Sequence, residues 1–230
     1  MERTLIAILI IVLTVVIYLV MNRLYFRFHY PILMPAITAA VLIVLILIGF
    51  NIPYQTYMIG GDWINLLLGP AVVSLAYPLY KQRVTLWENL VPIMGGLFIG
   101  TVVGMTSGIL FAKYLGFSKE IIYTLLPKSV TTPVAMQIAS DLGGIPSLAA
   151  IFVMIAGFTG VIFGPSLLKV FRIHHFIGQG VGFGTASHAI GTAKAFEYGE
   201  KAVSMSSVAM TVCAVIGSLL APLFVWIFLM

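Results

Sequence analysis

The run Gly180-Val181-Gly182-Phe183-Gly184-Thr185-Ala186-Ser187-His188-Ala189-Ile190-Gly191-Thr192-Ala193-Lys194 decides the architecture, because it admits two opposed readings. Its Gly182 and Gly184 have the spacing of a dinucleotide-binding loop, which needs a preceding strand, a following helix and a soluble α/β unit around it. The surroundings supply none of these. Of the 230 residues, 61% are hydrophobic and 8% charged, with a mean hydropathy of +1.12, whereas a soluble domain carries roughly 25% charged residues. The run is therefore an interruption bearing glycine, histidine and lysine within an apolar chain, and the protein reads as an integral membrane protein.

That composition excludes a disordered chain. It leaves no basic stretch or soluble domain from which a soluble enzyme or a nucleic-acid binder could be built. The net charge of +5 comes from Lys and Arg residues that mostly lie between apolar runs, where they orient helices toward the cytoplasm. Cys213 is the single cysteine and sits in the apolar run 209–221, so it closes no intrachain disulfide and builds no thiolate metal site. It reads as a small packing residue.

A helix needs about 20 apolar residues to cross the hydrocarbon core. Segments 4–21, 31–50, 86–112, 145–168 and 202–230 meet that requirement. The first lacks a small-residue cleavage site before Arg23 and reads as a retained helix, not a signal peptide. Segments 63–80 (Gly69, Pro70, Pro78), 121–142 (Pro127, Lys128, Pro133) and 178–196 (five glycines, His188, Lys194) are interrupted. Non-helical backbone at membrane depth is tolerated only inside protein or along a wet cavity, so these three should face the interior. The expected fold is an all-α polytopic membrane protein, one membrane domain over 1–230, with five full spans and three broken or re-entrant segments.

Charge distribution selects a topology. If 63–80 and 178–196 dip and return while 121–142 crosses, Arg23, Arg27, Lys113, Lys119, Lys169, Arg172, Lys194 and Lys201 share one side against Arg3, Lys81 and Arg83. If all three cross, the split is even. The first arrangement obeys the positive-inside rule, with both termini outside. It also gives the halves 1–115 and 116–230 opposite orientation, as two inverted repeats would have. A half-length shift sets Pro31 on Pro146, Gly49 on Gly164, Gly69 on Gly184 and Ala71 on Ala186, although identities are no more frequent than composition alone gives.

Three interrupted segments carry candidate chemistry. In Leu126-Pro127-Lys128-Ser129-Val130-Thr131-Thr132-Pro133-Val134-Ala135-Met136, Thr132 before Pro133 reads as an N-cap with proline at the first helical position. A half-helix N-terminus inside the membrane offers free amides and a partial positive charge. Lys128 adds a full charge, and Ser129, Thr131 and Thr132 add hydroxyls, a set suited to a carboxylate. The plainer alternative is a surface loop with Lys128 snorkelling to the headgroups.

In the opening run, a helix beginning near Thr185 would place Thr185, His188 and Thr192 on one face, with Ser187, Gly191 and Lys194 on an adjoining one. Gly184 would allow close backbone approach. His188, whose unperturbed pKa of about 6.5 lies within the physiological range, is a candidate substrate ligand or proton carrier. An interhelical hydrogen bond is the alternative, and the small residues also suit close helix packing. In the third segment, Gly69 and Pro70 would start an opposed half-helix, with Ser74 and Tyr77 reaching the same cavity. Tyr80 fits the interfacial aromatic belt. No intramembrane carboxylate pair is present, and His174 and His175 are adjacent, not at ligand spacing, so catalysis and a metal site are not expected.

The motifs Leu126-Pro127-Lys128-Ser129-Val130-Thr131-Thr132-Pro133, Gly184 through Ala193, and Gly69-Pro70-Ala71-Val72 before Leu75-Ala76-Tyr77-Pro78-Leu79-Tyr80 together resemble the LrgB/CidB family over essentially the whole chain. The resemblance implies a multi-pass protein of the bacterial cytoplasmic membrane, often paired with a small LrgA/CidA-type membrane protein. It implies one of two roles: transport of small monocarboxylates of the pyruvate, glycolate or glycerate class, or holin/antiholin-like control of murein hydrolase activity and lysis. Lys194 stands where many relatives carry arginine, which keeps the charge and loses bidentate carboxylate binding. Interrupted helices meeting near the midplane favour the transporter. The expected partners are the lipid bilayer, a small carboxylate, the LrgA/CidA-type protein and further copies of this chain, with no cofactor and no nucleic acid.

Overall fold

The computed structural model describes residues 2–28, 30, 33, 35–74 and 76–229, and among these every regular element is a helix. Pro31, Leu75 and Met230, which entered the reading of the second span, the third motif and the last span, lie outside the described residues. The chain folds as two compact units, Met1–Ala71 and Val72–Met230.

In the first unit, α1 (Glu2–Phe28) carries α2 (Pro35–Gly49) and α3 (Tyr54–Asn65). Gly60 makes the contact with α3 possible: a Cβ there would fall 2.7 Å from Ile10 and 2.8 Å from the Ala7 carbonyl. Thr14 Oγ1 donates to Ile10 O at 2.8 Å and lies 3.2 Å from Tyr57 OH, which keeps a mid-helix hydroxyl satisfied. At 15 residues α2 rises about 22 Å, short of the roughly 30 Å hydrocarbon core. The interrupted segment 63–80 is not one dipping helix. It holds the end of α3, then α4 (Leu68–Ser74), which begins at the Gly69-Pro70 pair as expected, and most of α5 (Ala76–Lys81).

The second unit continues with α6 (Arg83–Glu88), α7 (Leu90–Tyr114), α8 (Lys119–Leu125), α9 (Thr132–Asp141), α10 (Pro146–Val170), α11 (Phe176–Ala195) and α12 (Glu200–Leu229). Among the described residues four helices are long and apolar enough to cross a membrane: Arg3–Phe28 within α1, and α7, α10 and α12. Their outward faces are apolar, as lipid requires. Ile99, Val103 and Phe111 on α7 and Leu219, Trp226 and Ile227 on α12 are each more than half exposed.

Helix directions follow from pairs of contacts. Thr101 on α7 bonds Cys213 on α12, and Lys113 Nζ donates to Phe228 O at 2.9 Å, so α7 and α12 run parallel. Gly96 faces Val181 and Gly100 faces Thr185, so residues 176–187 of α11 also run parallel to α7. Gly164 faces Phe183 and Gly157 faces His188, so α10 runs the opposite way.

Both segments between these spans are helical hairpins. α8 starts just past the end of α7, where Gly116 (φ 74°) adopts the left-handed conformation that lets Phe117 N reach Ala112 O at 3.0 Å. After the loop 126–131, α9 brings the chain back, and Ile145 N donates to Thr124 Oγ1 at 2.8 Å. Segment 121–142 therefore does not cross, contrary to expectation: neither α8 nor α9 is long enough, and Thr124 ties the exit of the hairpin to its entry. α11 is interrupted at His188 (φ 42°, ψ −127°), and the limb 189–195 folds back so that Gly191 rests on Phe183 O. This segment dips and returns as expected. The hairpins enter from opposite ends of the unit, so Lys113 and Lys119 lie at one end, and Lys81, Arg83, Lys169, Arg172, Lys194 and Lys201 at the other.

Candidate functional site

Both tips stop near mid-depth. The first contacts α7 at Gly104 and Gly108, close to the helix's middle residue Val102, and the second contacts α10 at Val153 and Gly157, close to its middle residue Phe158. The reason lies in α7, where glycine recurs every fourth residue at Gly96, Gly100, Gly104 and Gly108. A Cβ at these positions would lie 3.5 Å from Val181, 2.6 Å from Thr185, 3.0 Å from Ser129 Oγ and 3.2 Å from Lys128 Nζ, respectively. One bare helix stripe thus seats polar residues from both hairpins. The four-residue period of this column is visible in the sequence, but an uninterrupted apolar span reads there only as a membrane crossing.

At the first tip, Lys128 Nζ donates to Gly104 O at 2.6 Å. Among the described residues no carboxylate pairs with it, and the ion pair found there is Lys194–Glu197. Ser129 lines a recess of about 350 Å³ together with Gly96, Gly100, Val103, Gly104, Val181, Gly182, Thr185 and Ala186. The α9 N-cap is Thr131, one residue earlier than expected, which puts Pro133 at the second helical position; the Thr131 side chain caps no amide. Thr131 is buried, and Thr132 begins the helix.

Thr185 Oγ1 is buried without a hydrogen-bond partner among the described residues, with the Cys213 thiol, a weak hydrogen-bonding group, beside it. The Thr185 methyl faces Gly100 and its Oγ1 is buried beside Cys213 on α12, so the residue lines the recess without exposing its hydroxyl there.

The second tip is bonded to α10, and Gly160, Phe183 and Ser187 border a further recess of about 280 Å³. His188 Nε2 lies 3.0 Å from Val153 O; a carbonyl only accepts, so this nitrogen bears a hydrogen. Ser187 is fully buried against Gly160, and its hydroxyl also has no partner among the described residues. Thr192 Oγ1 donates to His188 O at 3.0 Å and sits 2.9 Å from Ser206 Oγ on α12. Gly184 lies against Ser206 O.

Thr185, His188 and Thr192 were expected on one face. They instead address α7, α10 and α12 respectively, because the chain reverses at His188 and the i, i+3, i+7 rule holds only along an unbroken helix. Lys194 Nζ bonds Glu197 Oε1 at 2.6 Å and does not line the recess. Gly69 is exposed in the first unit. Ser74 and Tyr77 are exposed in the second, with Lys81 Nζ 5.9 Å from the centre of the Tyr77 ring, and neither lines the recess. The structure therefore gathers Lys128, Ser129 and Thr185 around one glycine column and disperses the rest. No group of three His, Cys, Asp or Glu able to hold a metal ion occurs among the described residues.

The sequence model of the LrgB-like family matches residues 14–227. YxaC of Bacillus subtilis (strain 168) is 58% identical over 192 residues, covering 84% of each chain. The holin-like protein CidB of Staphylococcus aureus (strain Mu50) is 40% identical over 193 residues, again covering 84% of each. A Haemophilus influenzae protein is 40% identical over 186 residues, covering 81% of this chain and 80% of its own. No solved structure matches. With nearly the whole chain inside the family match, this protein belongs to the LrgB-like family.

Proposed function

We propose that this protein is a carrier that moves small monocarboxylates, of the pyruvate, glycolate or glycerate class, across the bacterial cytoplasmic membrane beside an LrgA/CidA-type partner. The observation that carries the proposal is Lys128: an ammonium near mid-depth, held by a helix carbonyl with no carboxylate on it among the described residues, one turn from a recess lined by Ser129 and Thr185. Ionisable groups at membrane depth are costly and mark substrate paths. A carboxylate would take its charge from Lys128 and a hydrogen bond from Ser129, with the α9 N-terminus adding a partial positive charge. The positive-inside rule puts the end bearing Lys81, Arg83, Lys169, Arg172, Lys194 and Lys201 in the cytoplasm. His188 is the candidate proton carrier.

Uptake of labelled pyruvate, glycolate and glycerate into proteoliposomes, with and without the small partner and with and without an inward proton gradient, tests this. Saturable uptake supports the carrier, and its absence from folded protein under every condition rejects it. In His188→Ala, uptake should lose its dependence on the pH gradient; retained dependence removes His188 from the coupling. The second reading, a regulator of murein hydrolase activity and lysis, is favoured by the name holin-like protein that CidB carries. A chain that transports nothing yet changes lysis when deleted fits that reading instead.

A further inference from the structure

We infer that α7 with its hairpin and α10 with its hairpin are two copies of one helix-hairpin unit inserted in opposite senses, and that the site opens to alternate faces as they exchange conformations. This rests on the carrier reading and specifies how the carrier moves.

α7 and α10 are both 25 residues long, and they begin and end 56 residues apart, at Leu90 and Pro146 and at Tyr114 and Val170. The same shift sets Ile99 on Ile155, Gly104 on Gly160, Gly108 on Gly164 and Lys113 on Lys169. The correspondence extends to what the glycines hold. Gly104 seats Ser129 of the first tip, and Gly160 seats Ser187 of the second. Each tip also anchors a nitrogen on a carbonyl of the span before it: Lys128 on Gly104 O at 2.6 Å, and His188 on Val153 O at 3.0 Å. The half-length comparison of the sequence missed the relation because it places α10 against the first unit.

The two copies are in different states. Beside the first half of α7 lies the recess of about 350 Å³, open between that helix and the entering limb of the second hairpin. The equivalent place, between the first half of α10 and the first hairpin, is filled by Leu126, Val130 and Val153 in one apolar cluster and closed by His188 on Val153. Related units in unlike states, meeting at mid-depth, are the arrangement from which alternating access arises. His188 has φ 42° and ψ −127°, a conformation that side-chain-bearing residues adopt only under strain, so the closed state holds a strained residue that opening would release.

Single-cysteine variants on a Cys213→Ala background, reconstituted with known orientation and exposed to a membrane-impermeant maleimide from one face at a time, test the exchange with pyruvate as probe. Gly96→Cys, whose side chain meets only an ordinary 3.5 Å contact with Val181, should react from the face where α11 enters. Val153→Cys should be protected at rest and react at least fivefold faster during pyruvate flux, from the opposite face. Ala156→Cys repeats the measurement if Val153→Cys does not fold. Pyruvate flux with the α10 position unreactive, or with both positions reacting from one face, overturns the inference and leaves the carrier reading standing. No pyruvate flux in folded protein overturns the carrier reading and this inference with it.

Discussion

The first hairpin turns through a loop, 126–131, and the second turns at a single residue, His188. The loop spreads its change of direction over several residues, so none of them has a positive φ, and it presents Ser129 to a recess with Lys128 seated beside it on Gly104 O. The single-residue turn concentrates the change at φ 42° and is held by a histidine bond and close contacts from every side. A loop tip is free to carry chemistry toward a ligand, whereas a one-residue tip must be packed to exist. On the carrier reading proposed above, binding would fall to the first hairpin and closure to the second.

The largest effect should come from breaking the binding tip. Removing a charge-assisted hydrogen bond costs about 1.5–3 kcal/mol, which is roughly a 10- to 100-fold loss in flux. Lys128→Ala should lose that much pyruvate uptake while still inserting in the membrane, and Lys128→Arg should recover part of it. Unchanged uptake in Lys128→Ala would take the ligand away from the first tip and erase the contrast.

Packing of the second hairpin gives the next test. A Cβ on Gly184 would collide with Ser206 O and fall 2.7 Å from the Ala209 Cβ, whereas a Cβ on Gly182 would have nothing within 4 Å. Gly184→Ala should therefore destabilise the protein by about 1–3 kcal/mol, the usual cost of overpacking. Gly182→Ala, two residues away, should be neutral or slightly stabilising, since alanine favours a helix. Thermal unfolding in detergent measures both, and equal effects would mean that the limb 176–187 does not sit on α12 as described.

How these residues read in sequence explains what was and was not legible. Four of the five expected spans are helices of membrane-crossing length, because a run of apolar residues has few other places to be. The reversal at His188 was foreseeable from glycine and histidine in an apolar segment. The first hairpin was misjudged as a crossing because its return depends on Thr124 Oγ1 meeting Ile145 N, a contact between residues 21 apart that no local pattern announces. Lys128 and Ser129 were legible as polar residues of an interrupted segment. The wall they lean on was not, because glycine on a span is silent until the partner helix is known.

A finer contrast concerns strain at the second tip. His188→Gly and His188→Ala both remove the imidazole bond to Val153, but only glycine adopts positive φ freely. The glycine variant should be the more stable by about 1–2 kcal/mol, the strain relieved less the entropy glycine adds to the unfolded chain. Equal melting temperatures would show that His188 is not strained, and the second tip would then be an ordinary turn like the first.

The smallest effect separates the two cations that the sequence proposed for one anion. Lys128 is held by a carbonyl, whereas Lys194 has Glu197 at 2.6 Å, a carboxylate 59% exposed. Water screens such a pair, and exposed pairs contribute only about 0.2–1 kcal/mol. Lys194→Gln should accordingly shift stability by no more than that and change pyruvate uptake less than about twofold, since 0.4 kcal/mol corresponds to roughly a factor of two. If Lys194→Gln instead matched Lys128→Ala in lost uptake, the lysine would have to leave Glu197 and enter the site during transport. The ligand would then be held by both hairpins in turn, and the division into a binding tip and a closing tip would describe one conformation of the cycle only.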